Sequence, residues 1–378
     1  MVAARPRAIL FLAGISLVLT ISTRTACAQS FKFTGSMTTG RIGHTATLLN
    51  GGKILVTAGV GPTFNFIGTA ELYDPSTGAF SLSGNLAAAR IFHTATRLND
   101  GKVLIAGGIG YSGLNASAEL YNPSTGTFSP TGSMATARIY HTAIPLNSGK
   151  VLVTGGIGSG GDLVSAELYD PSSGTFSPTG GMATSRYLQT ATLLNSGKVL
   201  VTGGTGSSGY LASAELYDPS TGFFSPTASM ATRRDGQTAT LLYGGKVLVI
   251  GGVGSSGYLA NAELYDPSTG IFSPTGSMTT GRYLHTATRL NGGKVLVTGG
   301  LGSSGYLASA ELYDPSTGTF SLTGSMATGR NGQTATLLDD AKVLITGGIG
   351  PSGYLASAEL YVGLVSKTQT SSAFLADR

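Results

Sequence analysis

The sequence has no tryptophan, a single cysteine and four histidines, and only 11% of its 378 residues are charged. Each shortage removes a class of chemistry. The lone thiol stands in Ala26-Cys27-Ala28, after Arg5, Arg7 and an apolar run from 8 to 21. A basic start, a short apolar stretch and a small-residue A-x-A site form the pattern of a cleaved secretory signal peptide. The run is too short to cross a bilayer comfortably, so no stable membrane span is expected. Cleavage after Ala28 discards Cys27 and leaves an exported chain, secreted or periplasmic, with no disulfide, thiolate ligand or thiol nucleophile. It also removes Arg5, Arg7 and Arg24, which lowers the net charge from +5 to +2. No basic stripe remains, so nucleic acid is not an expected partner. Helical periodicity is missing as well, which turns the reading toward strands.

Glycine, by contrast, is abundant at 58 residues, and it recurs at fixed places rather than in low-complexity tracts. Between Arg41 and Tyr361 one unit of about 48 residues repeats seven times. Arginine opens each copy, at Arg41, Arg90, Arg138, Arg186, Arg234, Arg282 and Arg330. Glutamate recurs at Glu71, Glu119, Glu167, Glu215, Glu263, Glu311 and Glu359. The unbroken period assigns 1–28 to the signal peptide, 29–361 to one repeat-built body and 362–378 to a tail. A residue present in every copy serves what every copy needs, which is folding. The arginine and glutamate sets are therefore expected to form structural ion pairs, within a copy or between neighbours.

The copy from Arg282 shows the local grammar. A threonine-rich segment, 285–290, ends in Asn291-Gly292-Gly293-Lys294, a hairpin turn in which glycine accepts positive φ. Val295 to Thr298 has no polar face, which marks a strand buried on both sides. Residues 310–313 alternate, and Asp314-Pro315-Ser316-Thr317-Gly318 then turns the chain. The fourth segment holds Phe320, and its equivalents contain Pro130, Pro178, Pro226 and Pro274. Proline has no N–H to give a ladder, so this strand belongs on an outer edge. Four short strands repeated seven times predict an all-β fold, a seven-bladed β-propeller of four-stranded antiparallel blades with the first strand innermost. The seventh copy stops at Tyr361 without a turn or fourth strand, while Phe31 to Arg41 matches Phe320 to Arg330. The N-terminal strand is expected to complete the last blade.

These residues resemble the kelch repeat family, whose units carry a glycine doublet after an apolar strand, a downstream Tyr-Asp-Pro and a later aromatic. Gly155-Gly156, Tyr169-Asp170-Pro171 and Phe176 show the pattern here. The family's tryptophan is phenylalanine in every copy, and the first copy has Ala58-Gly59 in place of the doublet. The resemblance implies a propeller similar to the central domain of galactose oxidase, in a family of secreted enzymes and binding modules alike. That enzyme uses copper, two histidines and a cysteine-crosslinked tyrosine. A chain without cysteine lacks the crosslink, so the resemblance implies the scaffold without that catalytic set.

The four histidines, His44, His93, His141 and His285, share one repeat position with Gln189, Gln237 and Gln333. A metal ligand does not exchange with glutamine so freely, whereas a hydrogen-bonding group does. No metal and no cofactor are expected. The D-P-S-T-G turns carry one carboxylate each, too few for a calcium site. The G-G-x-G strings close strands rather than open helices, which removes a nucleotide-loop reading.

The copies differ in the segment after each leading arginine and in the loop after each glycine doublet, and strand direction puts both on one face. The first set contains Phe92, Tyr140, Tyr187, Asp235 and Tyr283, with Arg233 just before its arginine. The second contains Phe64, Tyr111, Asp162, Tyr210, Tyr258, Tyr306 and Tyr354. Aromatic rings on adaptable loops offer large contact area at low entropic cost, the composition of a recognition surface. Tyrosines folded back over blade edges are the competing reading. The expected function is a secreted, non-enzymatic binding propeller that recognises a carbohydrate or protein ligand. The alternative is a carbohydrate-active enzyme of sugar epimerase or lyase type, using Asp162, Arg233 or Asp235 at the channel mouth. A structural spacer is the third reading. The sequence specifies no oligomeric state.

Overall fold

The computed structural model describes residues 29–363. The signal-peptide reading of 1–28, Cys27 included, and most of the 362–378 tail lie outside these residues. Seven four-stranded antiparallel sheets form the body. In blade three the strands Thr142–Pro145, Val151–Thr154, Ala166–Asp170 and Thr175–Thr179 follow one another from axis to rim. The first strands of neighbouring blades lie side by side around the whole ring, including Thr45–Leu48 of blade one against Thr334–Leu337 of blade seven.

The second strand is buried along its whole length, as in Val151–Thr154 and Val295–Thr298, because both of its faces meet a neighbouring blade. Leu55 joins Val103, Ile105 and Tyr121 of blade two. Ile54 and Val56, pointing the other way as a period of two requires, join Leu344 and Ala358 of blade seven. The core is thus seven equivalent seams rather than one centre. The repeat tyrosine at each seam is fully buried, and its hydroxyl reaches the outer strand of the preceding blade, as Tyr169 reaches Thr131 at 2.9 Å.

Pro130, Pro178, Pro226 and Pro274 all lie in outermost strands. The last blade takes its outer strand from the other end of the chain: Ser30–Ser36 pairs with Ser357–Val362, with Phe31 opposite Tyr361. Pairing of Ser30 with Val362 carries the final strand one residue past the boundary read from the repeat. The aspartate turns close on themselves, Asp74 Oδ1 accepting the N–H and hydroxyl of Ser76 at 2.9 and 2.6 Å. Lysines at the adjacent hairpin turns stay solvated, and Lys150 pairs with Asp170 of its own blade at 3.1 Å.

Every leading arginine is fully buried and pairs with the glutamate of its own blade. Arg138 donates to Glu167 at 2.8 Å and to the carbonyls of Gly155 and Ser165 at 3.0 and 3.1 Å. The other oxygen of Glu167 accepts the N–H of Ala135 at 2.7 Å. One network therefore ties the linker, the end of the second strand and the third strand together.

The histidine-glutamine position links adjacent blades. His141 Nε2 lies 3.1 Å from the Thr94 hydroxyl, and Gln189 Nε2 donates to the Thr154 carbonyl at 3.0 Å. Burial, and then the nearby leading arginine, pushes the pKa of each of the four histidines down to about 3. These rings are neutral structural groups.

Candidate functional site: the ribbon face

In blades two to seven the loop after the glycine doublet folds back as a two-stranded ribbon, such as Thr205–Gly206 with Gly209–Tyr210. Blade one carries a short 3-10 turn, Pro62–Phe64, instead. The residue after each leading arginine bridges to this element, which joins the two variable segments on one face. Each blade thus presents a short row from axis to rim. The rows read Tyr187, Thr205, Tyr210 in blade four and Asp235, Val253, Tyr258 in blade five. In blade six the row is Tyr283, Leu301, Tyr306, and in blade three Ile139, Ile157, Asp162.

The next residue is left-handed in all seven blades, with φ between 51° and 66°. Glycine fills it at Gly43, Gly236 and Gly332, but Phe92, Tyr140, Leu188 and Leu284 occupy it elsewhere. A side chain there costs about 1–2 kcal/mol. A chain of backbone bonds holds the strain: Leu188 N–H donates to Tyr140 O at 3.2 Å, Gly236 to Leu188 and Leu284 to Gly236 at 3.3 Å, and Gly332 to Leu284 at 3.1 Å. These bonds run from blade to blade and join the left-handed residues of blades three to seven in one series.

Above this ring the aromatic side chains gather. Phe92 lies 4.2 Å from Tyr140 between ring centroids, and Tyr140 lies 6.4 Å from Tyr187. The Tyr283 ring rests on Gly236, where a Cβ would collide with it. Burial raises the Tyr283 phenol's pKa, followed by the influence of Asp235, Tyr140, Tyr210 and Tyr187. Groups from blades three to six therefore lie within electrostatic reach of one another. Tyr140 is raised by burial and then by Tyr187. Asp235 is only 5% exposed, and burial raises its carboxyl pKa against the lowering effect of Thr205. Its Oδ2 accepts the Thr205 hydroxyl at 2.7 Å, while its Oδ1 has no partner.

A second aromatic group lies further out. Phe64 and Tyr111 are 78% and 75% exposed. Phe64 meets Tyr354 edge-on at 6.1 Å, Phe66 meets Tyr111 at 5.0 Å, and the Phe66 N–H donates to the Tyr111 hydroxyl at 3.2 Å. Blade one thereby bridges the aromatics of blades seven and two. Tyr258 and Tyr306 lie at the outer ends of their rows, Asp162 likewise in blade three, and Arg233 is exposed.

Sequence reasoning reached the aromatics but missed Thr205 and the left-handed ring. Glycine at this position in three copies was the available signal, because it marks a backbone that other residues adopt under strain. On the opposite face, open notches between blades are lined by repeated turns such as 51–53 and Asp74-Pro75-Ser76. Those groups are the scaffold's own.

Residues 237–279 and 282–327 match the Kelch motif. The chain carries Kelch motifs on a seven-bladed propeller. A solved structure of a fungal alcohol oxidase of the AA5 family, in complex with copper, is similar to this Kelch propeller with a TM-score of 0.72. The two share 21% identity over 88% of this chain and 76% of that one, a likeness of fold. No curated protein sequence matches the chain. Each histidine's Nε2 faces a threonine of the preceding blade, and among the described residues no group of three or more His, Cys, Asp or Glu side chains converges.

Proposed function

We propose that this Kelch propeller is an exported, non-enzymatic recognition module that binds a protein or glycan through the ribbon face. The observation that carries the reading is the concentration of irregularity. The arginine-glutamate pairs recur in every blade, whereas bulky residues in left-handed backbone, stacked phenols and contacts between aromatics of neighbouring blades gather on this face. Strain held by the surrounding structure is a mark of functional positions. Preformed aromatic surface binds with little loss of side-chain entropy. A glycan array and a pull-down from the exported protein fraction test the proposal. Capture by wild type that is weakened by Tyr187→Ala or Tyr111→Ala supports it. Silence in both assays from folded, monodisperse protein removes it.

A further inference from the structure

We infer that the channel mouth binds a primary ammonium group, with Asp235 as its counter-ion and Tyr187 and Tyr283 as its aromatic wall. This deepens the recognition reading and rests on it.

The fold does not require an acid at this place. The equivalent residues are Ile42, Ile91, Ile139, Tyr187, Tyr283 and Asn331, and all make the same backbone bridge to the segment after the second strand. Blade four departs from the pattern at the matching spot. The middle of its row is Thr205, where the other blades carry Val60, Ile109, Ile157, Val253, Leu301 and Ile349. Threonine on one blade and aspartate on the next meet at 2.7 Å, so a departure from an apolar position and the one acid at its own repeat position build one polar spot.

That spot is left incomplete by the protein. Asp235 Oδ1 is buried without a donor, an arrangement that destabilises an ionised carboxylate unless a charged donor arrives. Among the described residues no cation pairs with it. The neighbouring Arg234 is committed to Glu263 and to the carbonyls of Gly251 and Asn261. The Tyr283 ring lies against Gly236, next in the chain to Asp235, and Tyr187 bridges to Thr205, the hydroxyl partner of Asp235; aromatic faces attract cations. A primary ammonium supplies both the positive charge and N–H donors. A quaternary ammonium supplies charge alone, and a hydroxyl supplies a donor without charge. The ammonium could come from a free amine or from a lysine side chain, and the chemistry at the mouth is the same.

Calorimetric or NMR titration of the folded protein with n-butylammonium, tetramethylammonium and 1-butanol tests the assignment. A lysine-containing peptide and its Nε-acetylated form distinguish the two sources. Butylammonium should saturate, bind more tightly than tetramethylammonium, and weaken at least about tenfold in Asp235→Asn. Asp235→Ile, which installs the residue of three other copies, should do the same with its melting curve intact. A lysine peptide stronger than butylammonium, with the acetylated peptide silent, points to a protein partner; equal binding points to a small amine. Butanol matching butylammonium, or unchanged binding in both variants, overturns the proposal. If a ligand captured by wild type is retained by Asp235→Asn, this site falls while the recognition reading stands. If nothing is captured at all, both fall.

Discussion

Arg186 donates to Glu215 across 2.9 Å, with the arginine side chain fully screened from solvent and the glutamate 4% exposed. Glu215 also accepts the N–H of Ala183 at 2.7 Å. Glu215→Ala strands a buried guanidinium and is expected to lower unfolding free energy by about 3–5 kcal/mol. Denaturant titration reads the loss directly. Coincident curves for variant and wild type would show that the pair contributes nothing.

Ala58 is the one residue at its repeat position that is not glycine, with φ at 60°. At the equivalent Gly107 an added Cβ would come within 3.2 Å of the Met134 methyl. The linker that leaves blade one carries Leu86 where that methionine stands in the next copy, and Ala58 and Leu86 share a cluster. Leu86→Met should therefore overpack the seam and destabilise by about 1–3 kcal/mol. Adding Ala58→Gly should recover most of the loss. A double-mutant cycle by thermal melting checks the coupling, and additive effects would refute it.

The four buried histidines make stability depend on acid. Each titrates near 6.5 when unfolded but near 3 when folded, through burial and then the adjacent arginine. Between those values the unfolded chain binds protons that the folded chain does not, so stability falls as pH is lowered through that window. The slope is up to about 1.4 kcal/mol per pH unit for each ring. Replacing all four by glutamine, the residue at this position in copies four, five and seven, should flatten the decline between about pH 6 and pH 5 and leave melting at neutral pH near wild type. An unaltered pH profile would show that other groups govern it.

Tyr140→Gly separates strain from use. Glycine is native at the equivalent Gly43, Gly236 and Gly332, and it relieves a left-handed tyrosine at φ 54°. Stability should hold or rise by up to about 1 kcal/mol, while capture of ligand by the ribbon face drops. A tyrosine that only packs would show the reverse, a lower melting temperature with capture intact.

The architecture was legible because turn residues and apolar runs recur in register: the buried second strand, the proline-marked outer strand and the shared face of the variable loops all follow from local chemistry. The choice between own-blade and neighbouring-blade pairing for Arg138 was not legible, since Glu167 sits one period-fraction away in either picture and only the sheet's geometry decides. Site residues such as Tyr140, Tyr187 and Asp235 announce themselves as departures from the repeat. Their electrostatic reach to Tyr283 does not, because those residues lie on different blades and only the closed ring brings them near one another. Thr205 escaped notice for a different reason: threonine is frequent throughout the chain, and its role appears only beside Asp235.

The pairing of Ser30–Ser36 with Ser357–Val362 makes the earliest strand wait for the latest. A chain interrupted anywhere before Ser357 would leave its opening strand unpaired and its seventh wedge incomplete, exposing edges that invite aggregation or proteolysis. Fusing the two ends instead places a circular protein without free ends within reach, and moving the break to a turn between other wedges would shift that dependence to a different strand.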